Sequence, residues 1–352
     1  MSVHTIEIQQ TLSNRKLRDF NQMQSLFPTD ALLQFMMGEI NELKSRRYPA
    51  RGIRQAVLRR SPTSNRFSFL SLVVNLQSLA EGRVSVGTFD CTSASTIACE
   101  HAFTNVMSQI SSVRFKPLLE WSTQRIDYAI DIPRVNAPEY VLLAKRSKIP
   151  RDFRLEEDQP GSYYLKSDGA NVNFYDKQDQ LLKEWNFPER DRLIQDAEGV
   201  FRLEIQCWGH KLTHIRRIVR RLGYEDHGVK LRTFLHPAVS NEIVHHYYAD
   251  TIGYNDYYTL TAAQQRMEEH GWRPLRIRNV INFLRAVHQV GSVQALRDNF
   301  EQRVMLDGTN ISVGGDDRTF RNYENYLAEV GINPVTLANS ERNRIPNLLS
   351  LE

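Results

Sequence analysis

Hydrophobic and polar residues alternate in three segments near the middle of the chain, a pattern typical of half-buried β-strands. These segments are TQRIDYAIDI (123–132), YYLKSDGANVNFYDK (163–177) and VFRLEIQCW (200–208). The middle segment contains Asp168-Gly169, a dipeptide that favours a tight turn, so a hairpin is predicted there. Further upstream, RFSFLSLVVNLQSLAEG predicts a strand closed by Gly82, and GRVSVGTFD predicts a second short strand.

Other segments repeat their hydrophobic residues every three or four positions, which indicates amphipathic helices. They are STIACEHAFTNVMSQI (95–110), HKLTHIRRIVRRLG (210–223), LRIRNVINFLRAVHQVG (275–291) and DDRTFRNYENYLAEVG (316–331). Strands followed by a helix and then more strands predict an α+β fold with an antiparallel sheet. We therefore expect an N-terminal helical and basic segment (1–60), an α+β domain (61–225) and a mostly helical C-terminal domain (226–352).

Composition narrows the class of protein only slightly. The 352 residues carry a net charge of +4, which permits nucleic-acid binding without requiring it. Three cysteines without a CxxC pair suggest neither a disulfide framework nor a zinc site. The N-terminus lacks the pattern of a signal peptide, and no apolar stretch is long enough to cross a bilayer, so we expect a cytoplasmic protein without a membrane partner.

Two of the predicted strands place carboxylates on their polar faces. In 125–131, Asp127 shares a face with Asp131, and in 200–208, Glu204 lies between Arg202 and Gln206. If the strands pair, Asp127 and Glu204 converge on a divalent cation such as Mg²⁺ or Mn²⁺, which prefers oxygen ligands. The alternative is that both carboxylates are solvated on an edge strand.

The third strand carries a candidate nucleophile. Tyr175 and Lys177 alternate with the apolar Phe174 and are expected to share a face. A tyrosine oxygen can attack a phosphodiester, and a nearby ammonium group can favour the phenolate or hold the phosphate. The alternative is a structural strand tyrosine beside a surface lysine. No His-x-His pair is present in the chain, and His245-His246 are interpreted as structural.

In order and spacing, these motifs resemble the gene II replication proteins of filamentous phages and, more distantly, the rolling-circle initiators of small plasmids. The resemblance rests on FLSLVVNLQSLAEGRVSVGTF, QRIDYAIDI, NVNFYDK, VFRLEIQCW and the C-terminal FRNYENYLAEVGINPVTL. It covers roughly residues 67–222 and 318–338. It implies a metal-dependent, strand-specific endonuclease that nicks double-stranded phage or plasmid origin DNA through a covalent phosphotyrosine and later rejoins the strand.

The resemblance also implies roles for individual residues. Tyr175 and Lys177 match the family's Tyr-x-Lys element, Asp127 its Arg-Ile-Asp strand and Glu204 its Arg-x-Glu strand. Such an enzyme would work in the cytoplasm of a bacterial host, with the host's replicative helicase and polymerase as partners. The expected DNA contacts are the basic residues near these motifs, namely Arg125, Lys211, Arg217, Arg220 and Arg221.

Three alternatives remain open at this stage. Plasmid initiators carry their tyrosine shortly after the glutamate, where this chain has no tyrosine before Tyr224, so Tyr224 is the reserve nucleophile. A nuclease that uses water would cut DNA without becoming attached to it. A DNA-binding regulator without chemistry would instead use 276–331 as a helix-turn-helix-like reader.

Overall fold

The computed structural model describes residues 1–13, 26–45, 52–64, 66–110, 115–183, 189–338 and 342–351, which form an α+β fold around a nine-stranded antiparallel sheet. Its strands are β1 (Ser2–Ser13), β2 (Glu42–Ser45), β3 (Ile53–Arg60), β4 (Phe67–Asn75), β5 (Ser122–Ile132), β6 (Arg154–Gln159), β7 (Ser162–Lys166), β8 (Ala170–Asp176) and β9 (Phe201–Trp208). Their order across the sheet is β2-β3-β4-β1-β5-β9-β8-β7-β6. The antiparallel α+β fold predicted from the sequence is confirmed.

The sheet consists of two halves whose strands are connected in the same way. In each half a long strand is followed by a meander, and the last strand of that meander returns to pair with the long strand. The long strand is β1 in the first half, paired with β4, and β5 in the second, paired with β9. The halves join where β1 pairs with β5, so the middle of the sheet is built from β1, β5 and β9.

The helices flanking the sheet are α1 (Thr29–Met37), α2 (Leu76–Glu81), α3 (Ser93–Ile110), α4 (Ala137–Lys145), α5 (Lys177–Lys183), α6 (Arg190–Asp196), α7 (His210–Arg221) and α8 (Pro237–Thr251). Helix α8 packs across β1, β5 and β9. It covers the face formed by Ile126, Tyr128 and Ile130, where the Tyr128 hydroxyl donates to the Phe234 carbonyl. The apolar side chains of the alternating strands therefore form the main core, and their polar side chains lie on the opposite face.

The C-terminal region is mainly helical. It contains α9 (Leu260–Glu269), α10 (Pro274–Val290), α11 (Val293–Asn299) and α12 (Asp317–Glu329), with short strands β10 (Tyr257–Tyr258), β11 (Val304–Met305), β12 (Ser312–Val313) and β13 (Arg344–Ile345). Gly291 caps α10 at a φ of 94°, a left-handed conformation that suits glycine. The predicted division of the chain near residue 225 stays a prediction.

Three predictions of local structure are wrong. Where residues 1–60 are described, they are not mainly helical, because besides α1 they contribute the central strand β1 and strands β2 and β3. The strand beginning at Phe67 does not continue to Gly82; Asn75 ends it by accepting a hydrogen bond from the Ser78 N–H, which caps α2. The segment 82–90 is a loop, of which only Phe89 forms a β-bridge, to Val3. The valines of this segment had suggested a strand.

Candidate active site

A pocket of about 410 Å³ opens on the polar face of the sheet, over the strands at its centre. Its lining combines carboxylates, cations, amides and tyrosines from both halves. The lining residues that matter below are His4, Arg54, Arg125, Asp127, Glu156, Tyr164, Lys166, Asn171, Tyr175, Gln180, Glu204 and Gln206. The pairing of β5 with β9 is confirmed, and it brings Asp127 and Glu204 into this pocket together with Tyr175.

Glu204 is the centre of the hydrogen-bond network. The Tyr175 hydroxyl donates to its Oε2 at 3.0 Å, and the Gln206 amide donates to its Oε1 at 2.9 Å. The Nδ1 atom of His4 lies 2.8 Å from Oε2. Burial opposes ionisation, but His4, Arg202 and the hydrogen bonds together hold the pKa of Glu204 well below its ordinary value. Glu204 is therefore a carboxylate that accepts three hydrogen bonds.

His4 reaches Glu204 because β1 contains a bulge. Val3 pairs with Tyr128 and Thr5 with Asp127, which leaves His4 as the extra residue. Its Nδ1 also lies 3.3 Å from the Thr5 hydroxyl oxygen. Burial, followed by the charge of Arg202, lowers the pKa of His4, so the imidazole is neutral and its Nδ1–H donates to Glu204. The Nε2 atom is buried and has no hydrogen-bond partner.

Asp127 is almost fully buried beside Glu204. Burial, and then the negative charge of Glu204, raise the pKa of Asp127 well above its ordinary value. Arg125 counters this effect, because its Nε lies 3.0 Å from Oδ1 of Asp127. Residues 125 and 127 share a face two positions apart, so the arginine folds back onto its own strand.

Tyr175 lies on β8 with only 3% of its surface exposed. Its backbone pairs with Arg202 on β9. Glu204 is two residues further along β9 on the same face, so it is a diagonal neighbour of Tyr175. Burial and the charge of Glu204 raise the pKa of Tyr175 well above its ordinary value, while Arg202 lowers it. The phenol is therefore protonated at neutral pH and donates a hydrogen bond to the Glu204 carboxylate.

Lys177 begins α5 and does not continue the strand, but its ammonium group still lies beside Tyr175. Its Nζ is 5.7 Å from the centre of the Tyr175 ring and donates to Oε1 of Gln180 at 2.7 Å. Burial, and then the charges of Arg202 and Arg54, lower the pKa of Lys177 to about 7. The lysine therefore changes charge near neutral pH, behind the tyrosine and next to the pocket.

This depressed pKa predicts how stability depends on pH. Between pH 7 and 10 the unfolded chain binds more protons at Lys177 than the folded chain, so the contribution of Lys177 to the free energy of unfolding should rise with pH. The slope should approach about 1.4 kcal/mol per pH unit. Lys177→Met should remove this rise, whereas Lys183→Met, on the exposed end of the same helix, should keep it. Urea unfolding at pH 7, 8 and 9 compares the wild type with Lys177→Met, so that the titration of other groups cancels; a difference between the two proteins that does not change with pH contradicts the prediction.

Next to Tyr175, on the same face of the sheet, Arg202 and Asp131 form a buried ion pair. Arg202 is fully buried, donates to Asp131 through Nη2 at 2.6 Å, and also donates to the Val86 carbonyl. Above this pair lies a small second core, formed by Leu181, Leu193 and Ala197 with Val84, Val86 and Ile194. This cluster covers the polar face at the Arg202 end and leaves the face open at the Glu204 end.

The predicted DNA contacts separate into two groups. Arg125 lines the pocket, whereas Lys211, Arg217, Arg220 and Arg221 lie on α7 and are not among the lining residues. On that helix Arg221 pairs with Glu242, and Arg217 and Arg220 are exposed. The structure therefore does not bring the α7 residues into the pocket, and their contact with DNA stays a prediction.

The reserve nucleophile is also outside the pocket. Tyr224 follows α7 and is 36% exposed, and its ring stacks on His236 with the ring centres 4.1 Å apart. None of the carboxylates of the pocket hydrogen-bonds it in the described part of the chain. Of the two tyrosines, only Tyr175 stands next to Asp127, Glu204 and His4.

The residues fit a divalent cation in type, although no three His, Cys, Asp or Glu side chains in the described ranges are already arranged around one position. The buried Nε2 of His4 has no hydrogen-bond partner, and its other nitrogen is fixed by Glu204, as in histidines that bind metals. Asp127 Oδ1 likewise accepts no hydrogen bond. In this conformation Arg125 competes for Asp127.

Among the pocket residues that the sequence reasoning missed, two are extra residues in bulges. His4 is one, and Arg54 is the other, since Ile53 pairs with Val74 and Gln55 with Val73. A signal for the first was available: Val3 and Ile6 are three positions apart, which breaks the alternation continued by Ile6 and Ile8. A similar break lies around Arg54, where Ile53 and Ala56 are three positions apart, but the apolar Val57 obscures it.

No protein-family model matches the chain, and no curated protein matches it. Among solved structures, the rolling-circle replication initiator protein from Geobacillus stearothermophilus is similar at 11% sequence identity, over 96% of this chain and 98% of that chain, with a TM-score of 0.30. Within the described residues, no helix is both long and apolar enough to span a membrane.

Proposed function

We propose that this protein is a DNA strand-nicking and strand-transferring enzyme of the kind that initiates rolling-circle replication. The observation that carries the proposal is the hydrogen bond from the Tyr175 hydroxyl to Glu204, with His4 on the same carboxylate oxygen, in an open pocket that also contains Asp127. A structural tyrosine does not need three ionisable neighbours, which are costly to bury. They are useful for activating a phenol against a phosphodiester.

In the proposed reaction, the Tyr175 Oη attacks the phosphorus of one DNA linkage. The new bond is Oη–P, and the bond that breaks joins phosphorus to the 3′ oxygen, which leaves with the electron pair. The phenol proton passes to Glu204, to which it is already hydrogen-bonded, and the 3′ oxygen takes a proton from water. The product is a 5′-phosphotyrosyl strand with a free 3′ hydroxyl, which a polymerase can extend. Reversal of these steps rejoins the strand.

We propose His4, Asp127 and Glu204 as the residues that would hold Mg²⁺ or Mn²⁺. Carboxylate oxygens with one imidazole suit these ions, and the neutral His4 offers a free nitrogen lone pair. Such a cation would neutralise charge on the scissile phosphate as it develops. Lys177 lies on the far side of the Tyr175 ring, where its ammonium form favours the phenolate.

The partners belong to the proposal as well. Double-stranded phage or plasmid origin DNA would be the substrate, in a bacterial cytoplasm, and the exposed arginines of α7 would add phosphate contacts outside the pocket. The free 3′ end would pass to the host's polymerase, and its helicase would open the duplex.

One observation favours a second candidate function. Tyr175 is nearly inaccessible, and burial raises its pKa, both of which oppose nucleophilic attack by the phenol. A nuclease that activates water with the same carboxylates would not need that attack. The two functions differ in their product, since only the first leaves DNA attached to protein.

Incubation with supercoiled replicon DNA and Mg²⁺ tests the proposal. Denaturing electrophoresis of end-labelled DNA should show a nicked strand that migrates with the protein and is released by protease. Nicked DNA free of protein would instead identify the water-using nuclease. Intact DNA at every origin and metal tested would contradict both.

A further inference from the structure

Three cations line the pocket, and they differ in whether a carboxylate already neutralises them. Arg125 is paired with Asp127, and the Lys166 Nζ lies 2.8 Å from Glu156. Arg54 is exposed at the mouth of the pocket and, over the described ranges, makes no ion pair or hydrogen bond. Arg54 is thus the guanidinium group of this pocket that is available to an incoming anion.

The backbone directs Arg54 to this position. Strands β3 and β4 pair regularly from Gln55 to Arg60, and the irregularity between Ile53 and Gln55 makes Arg54 an extra residue. Without the bulge, strict alternation would send Arg54 to the face opposite Gln55. With it, Arg54 lines the same pocket as His4, the extra residue of β1. Two bulges in the first half of the sheet therefore supply side chains to a site whose carboxylates and tyrosines come from the second half.

The charge balance of the pocket indicates what kind of anion fits. Asp127, Glu204 and Glu156 bring negative charge, so a bare phosphodiester is repelled unless a cation faces it. The influence of Arg54 extends across the site, since its charge lowers the pKa of His4, Asp127 and Lys177. A guanidinium matches phosphate oxygens with two parallel N–H donors, which a lysine cannot do.

We propose that Arg54 holds one phosphodiester of a single DNA strand at the mouth of the pocket and so fixes which linkage faces Tyr175. This inference rests on the proposed function for the identity of the strand, but its test does not require cleavage. Arg54 positions the substrate and takes no part in bond making.

Binding of a short single-stranded oligonucleotide in EDTA tests the proposal, because no divalent cation is then present to support nicking. Arg54→Gln should weaken binding about ten-fold and reduce the slope of log affinity against log salt by about 0.7. Arg54→Lys should restore the slope, since the charge returns. Arg59→Gln is the matched control on the same strand, because Arg59 is already paired with Glu42, and it should bind like the wild type.

A series of oligonucleotides, each with one neutral methylphosphonate linkage, locates the contact. One position should weaken wild-type binding and have no further effect on Arg54→Gln. A slope that does not change in Arg54→Gln, or methylphosphonate effects that are the same in both proteins, would overturn the proposal. If these binding results hold and no covalent adduct forms with Mg²⁺, then the proposed nicking function is wrong while the phosphate contact stands.

Discussion

Tyr175→Phe should abolish the covalent protein–DNA adduct, with a loss of at least about 10³-fold in the rate of its formation. The substitution removes one oxygen from a ring that is otherwise packed against Tyr164, with ring centres 6.4 Å apart. Glu204 loses one of three hydrogen bonds but keeps those from His4 and Gln206. We therefore expect DNA binding and folding to survive, and electrophoresis of labelled DNA to show no attached protein.

Tyr224→Phe is the matched control, because Tyr224 is the reserve nucleophile. Tyr224 is exposed and lies outside the pocket, so its variant should form the adduct at the wild-type rate. If Tyr224→Phe loses the adduct and Tyr175→Phe keeps it, the reserve nucleophile is the correct one. If both variants still nick the DNA and neither they nor the wild type becomes attached, water is the nucleophile.

Asp127→Asn should have opposite effects on activity and stability. Nicking should fall by about 10³-fold, because a neutral amide is a poor ligand for Mg²⁺. The metal-free protein should become more stable, because a neutral amide replaces a buried carboxylate that is repelled by the charge of Glu204. The raised pKa of Asp127 fixes the sign: the folded protein binds the extra proton, so the wild type loses stability as pH rises above the ordinary range of aspartate. The advantage of the variant should therefore grow with pH.

Thermal unfolding in EDTA at pH 5, 7 and 8 measures this effect. Asp168→Asn makes the same change of charge on the exposed turn between β7 and β8, and it should alter neither stability nor nicking. A destabilised Asp127→Asn protein would show that the ion pair with Arg125 outweighs repulsion from Glu204. Normal nicking by this variant would remove Asp127 from the proposed metal site.

The second half of the sheet was predictable because its strands alternate cleanly. In β5, β8 and β9 every second residue is apolar, so the face of Asp127, Tyr175 and Glu204 could be assigned before any pairing was known. The position of Lys177 on a helix could not be foreseen, since one more alternating residue is indistinguishable from a first helical turn. Its position beside Tyr175 was nonetheless anticipated.

The first half was harder to predict because its signals mislead. β1 carries polar side chains on one face, among them His4 and Thr5, because that face lines the pocket. Its sequence therefore does not resemble that of a central strand buried on both faces, which is usually apolar on both. The strand beginning at Phe67 runs directly into α2 at Asn75, and no glycine or proline marks the change. Bulges shift the register by one residue, and alternation alone cannot place a residue that interrupts it.

The union of the two halves has a consequence for the order in which the chain becomes active. His4 and Glu204 touch, yet 200 residues separate them along the sequence. During synthesis β1 can pair with β4 early, but its other edge stays open until β5 is made, and Glu204 arrives only with β9. Closure of such distant contacts is slow. A ribosome therefore holds a half-built sheet with an exposed edge, and the candidate site is assembled only after β9 has been made.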